Sequence, residues 1–180
     1  MTRPIYAFMI IAVLCAGARA ASMPADVAAE VAKFKDANPR VRQQALSALG
    51  KMGDKAKPAL PQILEMTNDK TTWVMTRSLM VIADIGPDET AIPSILPFLA
   101  KDREFRDLAD TIFVKLGVKA VPALVGALKD DTTAEGACEA LAAIGRAAKS
   151  AAPDLTAASQ KGKTKPIRDA AATALKAVSK

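Results

Sequence analysis

Few side chains in this chain are equipped for covalent or acid–base chemistry. Its 180 residues include no histidine, which removes Ser–His and Cys–His relays and zinc sites of the Cys/His type. Of the two cysteines, Cys15 lies in an N-terminal apolar run and Cys138 in a helical pattern. Cys138 reads as a small buried apolar residue rather than a reactive thiol. Lys129-Asp130-Asp131 brings two carboxylates together without the Asp-x-Asp-x-Asp-Gly spacing of a calcium loop. No P-loop or dinucleotide fingerprint occurs. Carboxylates distant in the chain could still meet in space, but Asp102, Asp130 and Asp131 stand at helix starts, where capping accounts for them. The expectation is a non-enzyme with no cofactor and no metal.

Recognition chemistry is better represented. Trp73 stands where other segments carry Arg40, Glu104 and Thr132, so a large aromatic is out of pattern there. Such a tryptophan either anchors a partner or folds back over a neighbouring loop. A basic run holds Lys161, Lys163, Lys165 and Arg168 against the single acid Asp169, with Lys176 and Lys180 beyond. It either attracts an anionic surface or solvates the end of the fold. No aromatics are interleaved to stack bases, which speaks against nucleic acid.

These residues are positioned by a repeat. Glycines 53, 86, 117 and 145 recur at intervals of 33, 31 and 28 residues. Four before each stand Leu49, Ile82, Phe113 and Leu141; eight before stand Ala45, Ser78, Ala109 and Ala137. Val41, Val74, Phe105 and Thr133 lie twelve before, and Met52, Ile85, Leu116 and Ile144 one before. Together they make one stripe of a 3.6-residue helix. Asn38, Thr71, Asp102 and Asp130, all capping types, precede the glycines by fifteen. Thr132 and Glu135 add capping-box spacing. A second helix follows each glycine, its first turn marked by Pro61, Pro93, Pro122 or Pro153. Pro97 falls a full turn inside its helix and predicts a kink or early break.

Arg42, Ala45, Leu46, Leu49, Gly50 and Gly53, followed by Ala59, Pro61 and Ile63, make an Arg–x–x–Ala–Leu–x–x–Leu–Gly helix leading into an Ala–x–Pro–x–Ile helix. This pattern resembles HEAT repeats of the short, phycobilisome-lyase type and extends over almost everything after residue 24. Arg106 and Arg168 keep the arginine position, while Met75 and Ala134 replace it. The resemblance implies an all-α, right-handed α-solenoid of stacked antiparallel helix pairs. Its second helices would line a concave face. The outward positions there, one and four after each proline, are Gln62 and Glu65, Ser94 and Pro97, Ala123 and Gly126, and Asp154 and Ala157. Gln62, Glu65, Ser94 and Asp154, with Trp73, are the candidate contacts for a protein or peptide partner. Bilin-lyase members of the family leave a lyase-related enzyme subunit as an alternative. An adaptor holding an anionic surface through the basic C-terminal end is another.

Residues 1–20 stand apart from the repeat. Arg3, the apolar run from Ile5 to Cys15, and Ala18-Arg19-Ala20 read as a secretory signal cleaved near Ala20. That run is far shorter than the roughly 20 residues of a membrane span. The expected domain, residues 21–180, has a cap helix at 24–36 and repeats at about 38–67, 71–100, 102–129 and 131–159. A capping helix at 164–179 closes it. With Cys15 removed, no internal disulfide can form. Only 4% of residues are aromatic, so Ala, Leu, Ile and Val must build the core. The expected role is an exported scaffold or accessory subunit of a bacterial envelope complex, periplasmic or secreted.

Overall fold

A computed structural model describes residues 23–180; the leader expected over residues 1–20 lies outside the described residues. Ten α-helices and intervening 3-10 turns make up the described chain, with no strand among them. The first helices of successive pairs are α2 (Pro39–Met52), α4 (Thr72–Ile85), α6 (Arg103–Leu116), α8 (Ala134–Ile144) and α10 (Lys165–Val178). The second helices are α3 (Leu60–Glu65), α5 (Ile92–Ile95), α7 (Val121–Ala127) and α9 (Ala152–Lys161), and α1 (Ala25–Ala32) covers the N-terminal end. Each first helix packs on the next, α2 on α4, α4 on α6, α6 on α8 and α8 on α10.

The apolar stripe sets this order. Leu49, Ile82, Phe113 and Leu141 are fully buried, as are the small residues Ala45, Ser78, Ala109 and Ala137 one turn earlier. Burying each large aliphatic side chain contributes about 1.5–3 kcal/mol. Small residues at the second position let adjacent helices approach. A close approach occurs at Gly136 of α8, where an added Cβ would lie 2.4 Å from the Leu99 carbonyl oxygen. The edges of the stripe are looser: Val41, Phe105, Thr133, Met52 and Ile144 are only partly buried.

Chain reversals follow the anchors. Gly53, Gly86, Gly117 and Gly145 all have positive φ, and no other described residue does. An L side chain rarely adopts that conformation, so glycine ends α2, α4, α6 and α8 and the chain turns into the second helix of each pair. Pro61, Pro93, Pro122 and Pro153 sit in the first turn of α3, α5, α7 and α9. At Pro97 the helix breaks as its position predicts: α5 ends at Ile95 and residues 96–100 continue as 3-10 turn.

The caps agree less well with the register. Asn38 Oδ1 accepts from the Arg40 N–H at 3.0 Å, and Thr164 Oγ1 from the Ile167 N–H at 3.4 Å. The Thr71 and Asp102 side chains make no cap bond. Asp130 instead accepts from both the backbone N–H and the hydroxyl of Thr132, closing a turn that delays α8 until Ala134. The Thr132 hydroxyl donates to Asp130 and accepts nothing from the Glu135 N–H, so no capping box forms.

Candidate partner-binding site

The start of α4 is held by a buried ion pair. Arg42 on α2 donates through Nε and Nη2 to the two carboxylate oxygens of Asp69, at 2.7 and 2.8 Å. Its Nη1 donates to the carbonyls of Asp36 and Ala37. Asp69 in turn accepts from the Thr71 N–H at 2.8 Å, which takes the place of a side-chain cap. The guanidinium therefore ties the loop before α2 to the loop before α4. Its hydrogen bonds hold the Asp69 carboxyl below the usual carboxylate range despite burial.

Two residues past this clamp stands Trp73, with 40% of its surface exposed. It borders a hollow of about 520 Å³ together with Gln43 of α2, Thr72, Thr76, Arg77 and Met80 of α4, and Glu104 of α6. Trp73, Thr76, Arg77 and Met80 follow the i, i+3, i+4, i+7 spacing of one helix face. Met80 is as exposed as the tryptophan, at 41%. On its other side Trp73 adjoins Arg40 and Gln44. The Arg77 Nε is buried without a hydrogen-bond partner. The indole is thus partly exposed between mostly polar neighbours, on a backbone pinned by Arg42 and Asp69. Rigid aromatic anchors flanked by polar groups are the usual energetic centres of protein interfaces.

The expected second-helix row is distributed over two other places. Glu65 and Ser94 meet across a hollow of about 370 Å³ that also includes Asn68 and Thr90. Gln62 is half-buried, with its Oε1 unpartnered. Asp154 is more than two repeats away, beside a third hollow of about 330 Å³ floored by Val125, Leu128, Ala158 and Ile167. There it shares a rim with Lys161 and Lys163, so an expected partner-binding residue and two expected anion-binding residues come together.

Within the basic run, Lys163 pairs with Asp131 at 2.6 Å and Lys165 with Asp169 at 2.8 Å. Arg168 donates from Nη1 to the Gly162 carbonyl at 2.6 Å, six residues back, as Arg42 does to Asp36. Lys161 alone of the four has no such partner among the described residues.

A second charged cluster, which the sequence pattern did not single out, lies between α6, α8 and α10. Asp110, Glu135, Glu139, Asp169 and Arg103 line a hollow of about 520 Å³. Arg106 approaches Glu135 and Glu139 only to 3.4 Å, and its Nε, the Glu139 Oε2 and the Asp110 Oδ1 are buried without hydrogen bonds. Burial, reinforced by the Glu139 and Asp107 charges, pushes the Asp110 carboxyl up to about 7. Cys138 on α8 is fully buried, and desolvation raises its thiol to about 12, so it is not a nucleophile. Among the described residues no group of three His, Cys, Asp or Glu side chains is placed to hold a metal ion.

Gln43, Thr72, Thr76, Arg77 and Met80 line the Trp73 hollow and were passed over by sequence reasoning. Helical spacing from Trp73 carried Thr76, Arg77 and Met80; Gln43 depends on how α2 packs on α4.

A row of helical hairpins sharing one continuous core defines an α-solenoid. The family described as HEAT repeats matches residues 25–112, and the later pairs repeat the same glycine and proline anchors. The chain is a HEAT-repeat protein. Its fold is similar to a chain in the complex of CpcE and CpcF of phycocyanin lyase from Nostoc sp. PCC7120. The two share 20% identity over 83% of this chain and 98% of that one, with a TM-score of 0.51. It is also similar to an engineered protein whose crystal structure was determined by a structural genomics consortium, at 18% identity, 85% and 79% coverage and a TM-score of 0.50. No curated protein matches the sequence. No helix of the described residues is long and apolar enough to cross a membrane.

Proposed function

We propose that the chain is an exported, non-catalytic scaffold that holds a protein partner, as an accessory subunit of a bacterial envelope complex. The observation that carries the proposal is Trp73: an exposed indole with Met80 beside it, in a polar-walled hollow whose backbone is fixed by the Arg42–Asp69 pair. HEAT repeats suit this role, because a stack whose core is spent on holding neighbours together leaves its outer faces for partners. The absence of histidine and the inert Cys138 thiol support a role without catalysis. Export rests on the charged start, apolar run and Ala18-Arg19-Ala20 of the leader.

The lyase-subunit alternative draws only on the likeness to the CpcE–CpcF chain, which at 20% identity carries the fold alone. Affinity purification of the processed chain from envelope fractions, with mass spectrometry of what accompanies it, tests the proposal. The expected result is a stoichiometric protein partner that Trp73→Ala loses, and an N-terminus at Ala21. Recovery of a bound chromophore with no protein, or an unprocessed chain in the cytoplasm, would overturn it.

A further inference from the structure

We propose that the edge of the stack formed by the C-terminal turns of α6, α8 and α10 docks on an anionic lipid surface. The cations that could serve are not those of the 161–168 run, where Lys163, Lys165 and Arg168 are engaged by Asp131, Asp169 and the Gly162 carbonyl. They lie at the opposite ends of the helices. Lys115 closes α6, Lys119 follows in the turn 117–120, Arg146 and Lys149 occupy the turn 145–151, and Lys176 closes α10. The turn 117–120 packs on the turn 145–151, which packs on α10, so these residues share one continuous edge. All five are exposed. Among the described residues, Lys119 alone of them has an acidic partner, the exposed Glu89 at 3.2 Å.

Compensation of helix dipoles accounts for Lys115 and Lys176, in the last turns of α6 and α10, but not for Lys119, Arg146 and Lys149 in the turns beyond. Neither α4 nor α8 has a basic residue in its last turn, and the same edge in the N-terminal half carries Asp54, Asp84, Asp88 and Glu89. Of the lysines there, Lys55 and Lys57 are paired with Asp26 and Asp54, and Lys51, which closes α2, has no acidic partner among the described residues. Against those four acids the edge is net acidic in its N-terminal half and net basic in its C-terminal half.

What selects a lipid surface over a soluble polyanion is the apolar component. Val118 is 61% exposed and Val114 46%, the two most exposed large apolar residues of the described chain, and both lie beside Lys115 and Lys119. Exposed valines among lysines suit a boundary where headgroup phosphates and acyl chains are both within reach. This inference does not depend on the Trp73 hollow, which is on the outward face of α4.

Co-sedimentation of the full chain with vesicles of mixed phosphatidylglycerol and phosphatidylcholine, against phosphatidylcholine alone, tests it. The apolar run at residues 5–15 is common to every variant, so partitioning through it cancels in the comparison. A nearby basic residue contributes about fivefold to affinity for an anionic bilayer. The combined Lys115→Gln, Lys119→Gln, Arg146→Gln and Lys149→Gln variant is therefore expected to lose at least about tenfold, with parental binding declining as salt rises. The charge-removing control Lys161→Gln, Lys163→Gln, Lys165→Gln and Arg168→Gln should retain binding within about twofold, and Val118→Ser should lose affinity for vesicles but not for heparin. Equal losses in the two quadruple variants, insensitivity to phosphatidylglycerol, or binding to heparin but not to vesicles would each overturn the assignment.

Discussion

Arg42 and Arg106 occupy the same position of the repeat, eleven residues before a turn glycine, yet they live in different surroundings. Arg42 is saturated: two bonds to Asp69 at 2.7 and 2.8 Å and two backbone carbonyls. Arg106 faces Glu135 and Glu139 at 3.4 Å, beside buried carboxylate oxygens with no partner. The difference comes from the next loop. Asp69 lies seventeen before Gly86, where it meets Arg42; the corresponding residue before Gly145 is Leu128. Asp130 and Asp131 are close by, but one is occupied by Thr132 and the other by Lys163. Arg106 therefore turns to the side chains of α8, and no clamp forms between loops. The α2–α4 pair is consequently fixed where Trp73 emerges, whereas the α6–α8 pair carries strained electrostatics. Pre-organisation of an anchor lowers the ordering cost of binding, which is why the clamped half is the better partner site.

Removing a clamp should separate the two regions most sharply. Arg42→Ala leaves Asp69 buried and unpaired and is expected to cost about 3–5 kcal/mol in urea unfolding. The depressed Asp69 carboxyl adds an acid limb: its contribution is present above the unfolded value near 3.8 and is lost as pH falls through the lower folded value. That limb should vanish in Arg42→Ala.

Packing gives the next largest effect and is a check from the looser half. Gly136→Ala drives a Cβ toward the Leu99 carbonyl and should cost about 1–3 kcal/mol, whereas at Gly126 a Cβ would meet nothing within 4 Å. Gly126→Ala should be neutral or stabilising by up to about 1 kcal/mol. Equal effects would mean that α8 does not approach the second-helix layer so closely.

The Asp110 cluster has the opposite pH signature to the clamp. A carboxyl raised to about 7 in the fold binds its proton more tightly folded than unfolded. Its favourable contribution is present at pH values below the unfolded value near 3.8 and is lost as pH rises to about 7. Asp110→Asn should flatten that slope and raise stability at pH 8 by about 1–2 kcal/mol. Smallest of all, Arg106→Met should cost no more than about 1 kcal/mol, because its pairs with Glu135 and Glu139 are long and partly exposed and Glu139 keeps Arg103.

Much of this architecture is written locally and therefore readable from the chain. A glycine needed at positive φ and a proline tolerated only in a first turn mark each hairpin, and the stripe from Ala45 to Leu49 repeats in the buried positions of every pair. Pro97 announced its own break. Caps were less legible, since Thr71 and Asp102 are capping types whose hydroxyl or carboxylate makes no cap bond; at Thr71 the task falls to Asp69. The site residues were legible in part. Trp73 stood out by type, but its neighbours Gln43 and Glu104 come from adjacent repeats, and nothing local tells Lys163 from Lys149, one engaged by an acid across a loop and the other not. Pairings over 27 residues or more, such as Arg42 with Asp69 or Lys163 with Asp131, emerge only when the hairpins stack.

The most direct test is calorimetric titration of the recovered partner into the parent chain and into Trp73→Ala, with urea unfolding of both. The account predicts a loss of at least about 2 kcal/mol in binding and a change of no more than about 0.5 kcal/mol in unfolding. Unchanged affinity, or an affinity loss matched by an equal loss of stability, would contradict the claim that the clamped indole is the anchor.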